Sequence, residues 1–243
     1  MTPFGRQLPV QSRLWRTYHR IFGEPSYRSQ LFWTYLIRLI GGDFVATWLD
    51  AGCGGGDFLV ELAKTYPHAS FTGIDRDPQA IAGARELSRA AHVGNVVWVK
   101  SSLDEVDVHD FDMVSALGFM EFADDPRGTI KQLADHARDR GKIVFTAPNR
   151  KRGGTTEAQV ATARFDSDDV ESWMRSAGIP NPQIIEIAKG LSFKAYRVSQ
   201  RLQRFPFAAA AFHVLSGSLV MLDPKFNGFG ELLLCAGIVQ RQR

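Results

Sequence analysis

From position 44 onward, short apolar runs alternate with segments whose apolar residues recur every three or four positions. That alternation predicts repeated βαβ units around a parallel sheet. Phe44–Asp50 reads as the first strand and Gly55–Lys64 as the first helix. Phe71–Asp75 is the second strand, after which Asp77-Pro78 supplies an N-cap and a first-turn proline for a helix reaching about Ala91. Asn95–Lys100 and Phe111–Ala116 follow as strands three and four. Asp124-Asp125-Pro126 opens the next helix, with Ile130, Leu133 and Ala137 at helical spacing and Gly141 as its expected stop. Lys142–Ala147 is strand five, and a polar loop covers Asn149–Ala163. Ser167 or Asp168 caps a helix through Val170, Trp173 and Met174 that ends at Gly178. Gln183–Ala188 and Glu231–Gln240 complete the series as strands six and seven.

Two segments lie outside this alternation. Residues 1–43 contain the aromatic-rich run Leu31–Ile40, stopped by Gly41-Gly42. The stretch between strands six and seven contains Phe205–Met221, also apolar and aromatic. The expected division is therefore an N-terminal helical cap (1–43), a core (44–189), a helical insertion or lid (190–228) and a last core strand (229–243).

Bulk properties narrow the class. The chain has 243 residues, 44% hydrophobic and 23% charged, enough to bury a full core and too apolar for disorder over most of its length. Its net charge of +3 demands no nucleic-acid partner. Cys53 and Cys235 make no disulfide framework, which points to a reducing, cytoplasmic setting. Met1–Arg6 lacks the apolar core of a signal peptide, and no run of about 18 apolar residues predicts a transmembrane helix.

The chemistry concentrates in Trp48-Leu49-Asp50-Ala51-Gly52-Cys53-Gly54-Gly55-Gly56-Asp57-Phe58, a strand ending in an acid and passing through a glycine-rich loop into a helix. Glycines there let the backbone turn sharply and come close to a ligand. A dinucleotide fingerprint starting at Gly52 needs its third glycine at position 57, which is Asp57; the glycine comes one residue early, at Gly56. A carboxylate at the helix N-terminus opposes a pyrophosphate and suits a zwitterionic amino acid carrying a sulfonium. The stretch resembles motif I of the class I methyltransferases that depend on S-adenosylmethionine (SAM). That resemblance implies a Rossmann-like α/β fold: a seven-stranded, mostly parallel sheet with an antiparallel last strand beside strand six, helices on both faces and helical caps.

Other positions extend the resemblance over 44–150. Asp75 ends strand two about 19 residues beyond Gly56, where an acid can accept hydrogen bonds from both ribose hydroxyls. Arg76 follows it, either over an adenine face or simply exposed. At the end of strand three, relatives carry an acid for the adenine amino group and a backbone N–H for the ring; here Ser102 and Leu103 take those places, and Asp104 comes two residues after Ser102. The segment Phe111–Phe122 resembles the family's strand-four signature with Phe122 in place of a histidine, bringing Ala116–Phe119, including Leu117, beneath the cofactor. The Thr146-Ala147-Pro148-Asn149 ending resembles the branch of quinone-ring and small-molecule O-methyltransferases, with Asn149 toward the acceptor. The resemblance thus implies a SAM site, with S-adenosylhomocysteine (SAH) as product, formed by Asp50, Gly52, Cys53, Gly54, Gly56, Asp75, Arg76, Ser102, Leu103 and Leu117, and no metal.

Three functional classes stay open. The first is methyl transfer, most simply to oxygen, on a hydrophobic small molecule such as a phenol, quinol or polyketide-like ring. The second is a methyltransferase acting on RNA or protein, disfavoured by the lack of a basic-aromatic stripe or appended module. The third is a SAM-binding protein without transfer, kept open by Phe122 and Ser102. A base would serve a phenol; Glu121, His213 and His19 are the candidates, each also readable as structural. The basic run Arg150-Lys151-Arg152 reads as a solvated loop or a contact for an anion. The caps read equally as a lid over a greasy acceptor or as ordinary packing, including against a dimer partner; peripheral membrane contact is a weaker third reading. Either a monomer or a homodimer is compatible with the chain.

Overall fold

The computed structural model describes residues 31, 32, 34–36, 45–151, 164–191, 194, 195, 198, 208, 211, 212, 223, 230 and 232–241. The chain divides into two compact units, 1–43 with 187–231, and 44–186 with 232–243.

The larger unit is built on one mixed sheet. Its strands are β1 (Thr47–Ala51), β2 (Ser70–Asp75), β3 (Val96–Lys100), β4 (Phe111–Ala116), β5 (Ala137–Pro148), β6 (Gln183–Ile187) and β7 (Leu232–Ile238), in the spatial order β3-β2-β1-β4-β5-β7-β6. β1 runs parallel to both β2 and β4, with Asp50 opposite Gly73 on one side and Ser115 on the other. β7 is antiparallel to β5, from Lys142↔Ile238 to Pro148↔Leu232. It lies between β5 and β6, so the Rossmann-like α/β sheet with an antiparallel last strand is the fold observed. Strands buried on both faces read as continuous apolar runs, which is why Leu49, Val114, Phe145, Leu233 and Cys235 are all completely buried.

The helices start where their caps dictate. α1 (Asp57–Thr65) begins from Gly56 in a left-handed conformation, φ 80°. For α2 (Pro78–Ala90), Asp77 accepts the Gln79 N–H at 2.8 Å; for α3 (Pro126–His136), Asp125 accepts the Gly128 N–H at 3.0 Å. In both, a proline fills the first turn, where a missing N–H costs nothing. The cap of α4 (Ser167–Ser176) is Asp166, one residue before the expected Ser167 or Asp168, and Gly178 closes its end with φ 85°.

One boundary moved. α3 stops at His136, and Gly141 lies inside β5 instead of ending a helix. Residues 137–141 are held in the strand by pairing, across an irregularity at Arg140 (φ 62°): Ala137 sits opposite Phe111, and Val239 donates its N–H to the Gly141 carbonyl at 2.8 Å. Arg138 is ion-paired with Asp112 at 2.6 Å, and Asp112 also accepts the N–H groups of Ala46 and Thr47 at 2.8 Å each. A Cβ on Gly141 would come within 2.8 Å of the Phe111 carbonyl, so the glycine is there for strand contact.

In the smaller unit, residues 31, 32 and 34–36 are helical, with Leu31, Phe32, Tyr35 and Leu36 buried. The Tyr35 hydroxyl donates to Asp223 at 2.7 Å, and that fully buried carboxylate also accepts the N–H groups of Ala188 (3.0 Å) and Lys189 (2.7 Å). Burial of a carboxylate is tolerable because three donors replace its water.

Trp98 ties together the front of the larger unit. Its indole donates to the Ser88 hydroxyl at 2.9 Å, fixing the ring between α2 and the sheet. A Cβ on Gly73 would come within 2.5 Å of Trp98 Cε3, and one on Gly56 within 2.6 Å of Cη2. Gly73 has an ordinary φ, so Gly73→Ala isolates the steric effect. Overpacking of this kind costs about 1–3 kcal/mol, and urea unfolding of Gly73→Ala is expected to show a loss in that range. Combining it with Trp98→Leu should cost less than the sum of the two single changes; strict additivity would mean that the ring does not confront the glycine.

Candidate functional site: the glycine loop and its two carboxylates

The loop 52–56 leaves β1 under close control. Gly52 and Cys53 both donate their N–H to the Ile74 carbonyl, at 2.9 and 3.0 Å, so the loop is stapled to the end of β2. Gly52, Gly54 and Gly56 have φ of 70°, 55° and 80°, left-handed values that L side chains adopt only with strain. Their surroundings differ. A Cβ on Gly52 would strike the Phe119 ring at 2.5 Å, whereas one on Gly54 would meet nothing within 4 Å. Gly54 is therefore the point where backbone lies bare to open space.

Two carboxylates flank the loop. Asp50, buried to 4% exposure at the end of β1, accepts the Ser115 hydroxyl proton at 2.5 Å. Asp75, half-buried at the end of β2, accepts the Gly54 N–H at 2.9 Å on one oxygen and the Asp77 N–H at 2.9 Å on the other. A carboxylate oxygen accepts two hydrogen bonds, so Asp75 braces the loop and keeps acceptor capacity for a ligand. Cys53 reports the resulting field. Burial first, then the charges of Asp50 and Asp75, push its thiol far above the ordinary thiol range. It is an inert, neutral lining group. A site of this potential attracts a sulfonium or ammonium and repels a pyrophosphate.

The wall beyond β3 is arranged differently from its expected relatives. The exposed Asp104 carboxylate is held below its ordinary range by the nearby Ser102 hydroxyl first and by its own backbone N–H second. The Leu103 side chain is buried in the core at 5% exposure, so it can offer a ligand only its backbone. Its carbonyl lies 2.9 Å from His136 Nε2, and the Val108 carbonyl lies 2.7 Å from Nδ1 of the same ring. His136 thus spans both ends of the 103–108 loop. Arg76 is exposed.

Past β4, the half-buried Leu117 leads into Gly118, φ 71°, whose N–H is accepted by the buried Thr146 hydroxyl at 2.8 Å. Glu121 is half-buried on a 3₁₀ turn, Met120–Phe122. Asn149 is buried, its side-chain oxygen accepting the Lys151 N–H at 3.0 Å. Arg150 is engaged with Asp166 at 2.7 Å and with the Arg164 carbonyl; Arg152 lies outside the described residues, as do His19 and His213. Among the described residues no cluster of three or more His, Cys, Asp or Glu could hold a metal ion.

The sheet order agrees with the fold of the solved structure below. Residues 49–143 match the family model of a methyltransferase domain. Over that stretch, which holds the glycine loop and both acids, the chain is similar to methyltransferase domains. Over 102 residues it is 28% identical to the malonyl-[acyl-carrier protein] O-methyltransferase of Paenibacillus sp. strain JDR-2, covering 40% of this chain and 37% of that one. Over 118 residues it is 27% identical to the ubiquinone biosynthesis O-methyltransferase of Serratia proteamaculans strain 568, 48% of each. The matches thus span less than half of these relatives' length. The fold of the plantazolicin methyltransferase BpumL, solved with SAH, superposes with a TM-score of 0.58 at 16% identity, covering 95% of this chain and 92% of that one.

Sequence reasoning overlooked the partners of four side chains around this site. Ser115 and Trp48 carried a signal, being a hydroxyl and an indole N–H at buried positions of central strands. Thr146 entered only as part of the Thr146–Asn149 ending and His136 not at all, because their partners are 28 to 33 residues away. Asp104 offers a direct check on the altered wall. Its folded-state pKa is lowered, so it favours the folded protein above its unfolded-state pKa and loses that contribution as pH falls through the folded value. Ser102→Ala removes the first cause, and NMR titration of the Asp104 carboxyl is expected to move upward; an unchanged midpoint would show that the hydroxyl does not serve the acid.

Proposed function

We propose that the protein transfers the methyl group of SAM to an oxygen of a hydrophobic small molecule, a phenol, quinol or polyketide-like ring, in the cytoplasm. The observation that carries the SAM site is the pair Asp50 and Asp75, in adjacent strands, on either side of bare backbone at Gly54. In this reading Asp50 receives the cationic methionine tail and Asp75 the ribose hydroxyls. Gly52, Cys53, Gly54 and Gly56 form the cradle. Arg76, Ser102, Leu103 and Leu117 line the adenosine. When bound, SAM supplies a methyl group activated by its sulfonium.

The protein's own contribution is positioning and water exclusion, which are worth up to about 7–11 kcal/mol when reacting groups are well aligned. Phe119 against Gly52 and Thr146 beneath Gly118 hold the ends of β1 and β4 at fixed separation from the loop. A phenolic acceptor must lose its proton, and Glu121, on the turn that follows β4, is the described residue suited to take it; His19 and His213 are the further candidates. The acceptor class rests on the aromatic content of Leu31–Ile40 and Phe205–Met221 and on the Thr146–Asn149 ending. The O-methyltransferase names of the two relatives agree with oxygen as the methylated atom. No described helix is long and apolar enough to cross a membrane.

Calorimetry with SAM, SAH and NAD tests the site. SAM and SAH are expected to bind and NAD to fail. Asp75→Asn, which loses charge and one acceptor, should weaken SAH about 10–100-fold, as expected for hydrogen bonds to a charged group. Labelled-methyl turnover over phenols, quinols and amines then separates O-methylation from other acceptors, and binding without any turnover would favour a SAM-binding protein that transfers nothing. Failure of the wild-type chain to bind either SAM or SAH would overturn the proposal.

A further inference from the structure

Ser115 and Trp48 occupy interior positions of β4 and β1, where a parallel sheet ordinarily buries branched aliphatic side chains. Trp48 is 1% exposed and Ser115 fully buried. The Trp48 indole donates its N–H to the Ser115 hydroxyl oxygen at 2.8 Å. That hydroxyl has one proton and two acceptors in reach, Asp50 Oδ1 at 2.5 Å and the Leu49 carbonyl at 3.4 Å. The indole takes up acceptor capacity on the oxygen, and the shorter contact claims the proton. The result is a directed chain, Trp48 N–H to Ser115 O–H to Asp50 carboxylate, made possible by the register that puts Asp50 opposite Ser115. Each polar group on it is satisfied by the next, and the chain ends on the acid beside the glycine loop.

We propose that Ser115 and Trp48 are positioning residues that aim the Asp50 carboxylate at the cationic amino-acid tail of the bound nucleoside. This rests on the reading of the loop as a SAM site. A serine present only to satisfy the indole N–H would serve stability and be blind to which part of a ligand is bound. A serine that aims Asp50 governs the tail and leaves the adenosine alone. Two probes separate these roles: SAH, which has the tail, and 5′-methylthioadenosine, which keeps adenosine and thioether and lacks it.

The experiment is calorimetry of the full chain with both probes, on wild type, Ser115→Ala, Ser115→Cys, Ser115→Thr and Trp48→Phe, with thermal unfolding recorded for each. Ser115→Ala should weaken SAH about tenfold while methylthioadenosine changes by less than about twofold. Ser115→Cys, near in size and a weak donor, should show the same selective loss, and it carries the test if the alanine variant does not fold. Ser115→Thr keeps the hydroxyl and should restore SAH affinity. Trp48→Phe frees the hydroxyl to turn toward Leu49 and should give an intermediate, tail-selective loss of about threefold. If wild type binds SAH and the serine variants weaken both probes alike or neither, the positioning role is overturned while the SAM site stands. If wild type binds neither probe, the SAM reading itself fails.

Discussion

The close approach of Trp98 to two glycines governs how the ligand-facing end of the sheet is assembled. One indole, hydrogen-bonded to Ser88, lies against Gly73 in β2 and Gly56 at the start of α1. With no Cβ at either place, β3 can bring a large aromatic under the loop. The same contact sets where α1 begins relative to β2, and so where the loop 52–56 can run. Gly52 and Cys53 then take the Ile74 carbonyl, and Asp75 takes the Gly54 N–H. These bonds restrain the loop before a ligand arrives, which lowers the ordering cost of recognition by a backbone cradle.

Charge organises what that cradle accepts. Asp50 and Asp75 belong to adjacent strands and converge on Cys53, raising its thiol after burial has already done so. Both acids do structural work as well: Asp75 braces Gly54 and Asp77, and Asp50 ends the chain that starts at the Trp48 indole. The acceptor side has no comparably built site among the described residues. Arg150 is committed to Asp166 and to the Arg164 carbonyl, and Asn149 to the Lys151 backbone. The Rossmann-like scaffold hosts many acceptors, so the cofactor end is the part of the domain that constrains function most.

Local signals were read well where they act locally. Phe111–Ala116 has the limits expected from its apolar run, and Asp77-Pro78 and Asp125-Pro126 cap their helices as their spacing implies. Gly141 misled because a glycine after a helical period looks like a stop; its real reason is the nearness of the Phe111 carbonyl. Ser102 stood where relatives have an acid, and nothing in the chain's order says that it would lower the pKa of Asp104. Ser115, Thr146 and His136 act on groups 28 to 67 residues away, so spacing along the chain is silent about them.

By itself, the amino-acid order determined the alternating α/β elements, the glycine loop with its left-handed turns, and the two acids at the ends of β1 and β2. These follow from backbone sterics, capping and periodicity, which act over a few residues. Tertiary structure alone decided the rest. It inserted β7 antiparallel between β5 and β6, and joined residues 1–43 with 187–231 in one unit through contacts such as Tyr35 with Asp223, 188 positions apart. It also linked Trp48 through Ser115 to Asp50. Such pairings depend on which buried donors meet which acceptors once the strands are in register, a condition of the folded core that local pattern does not carry.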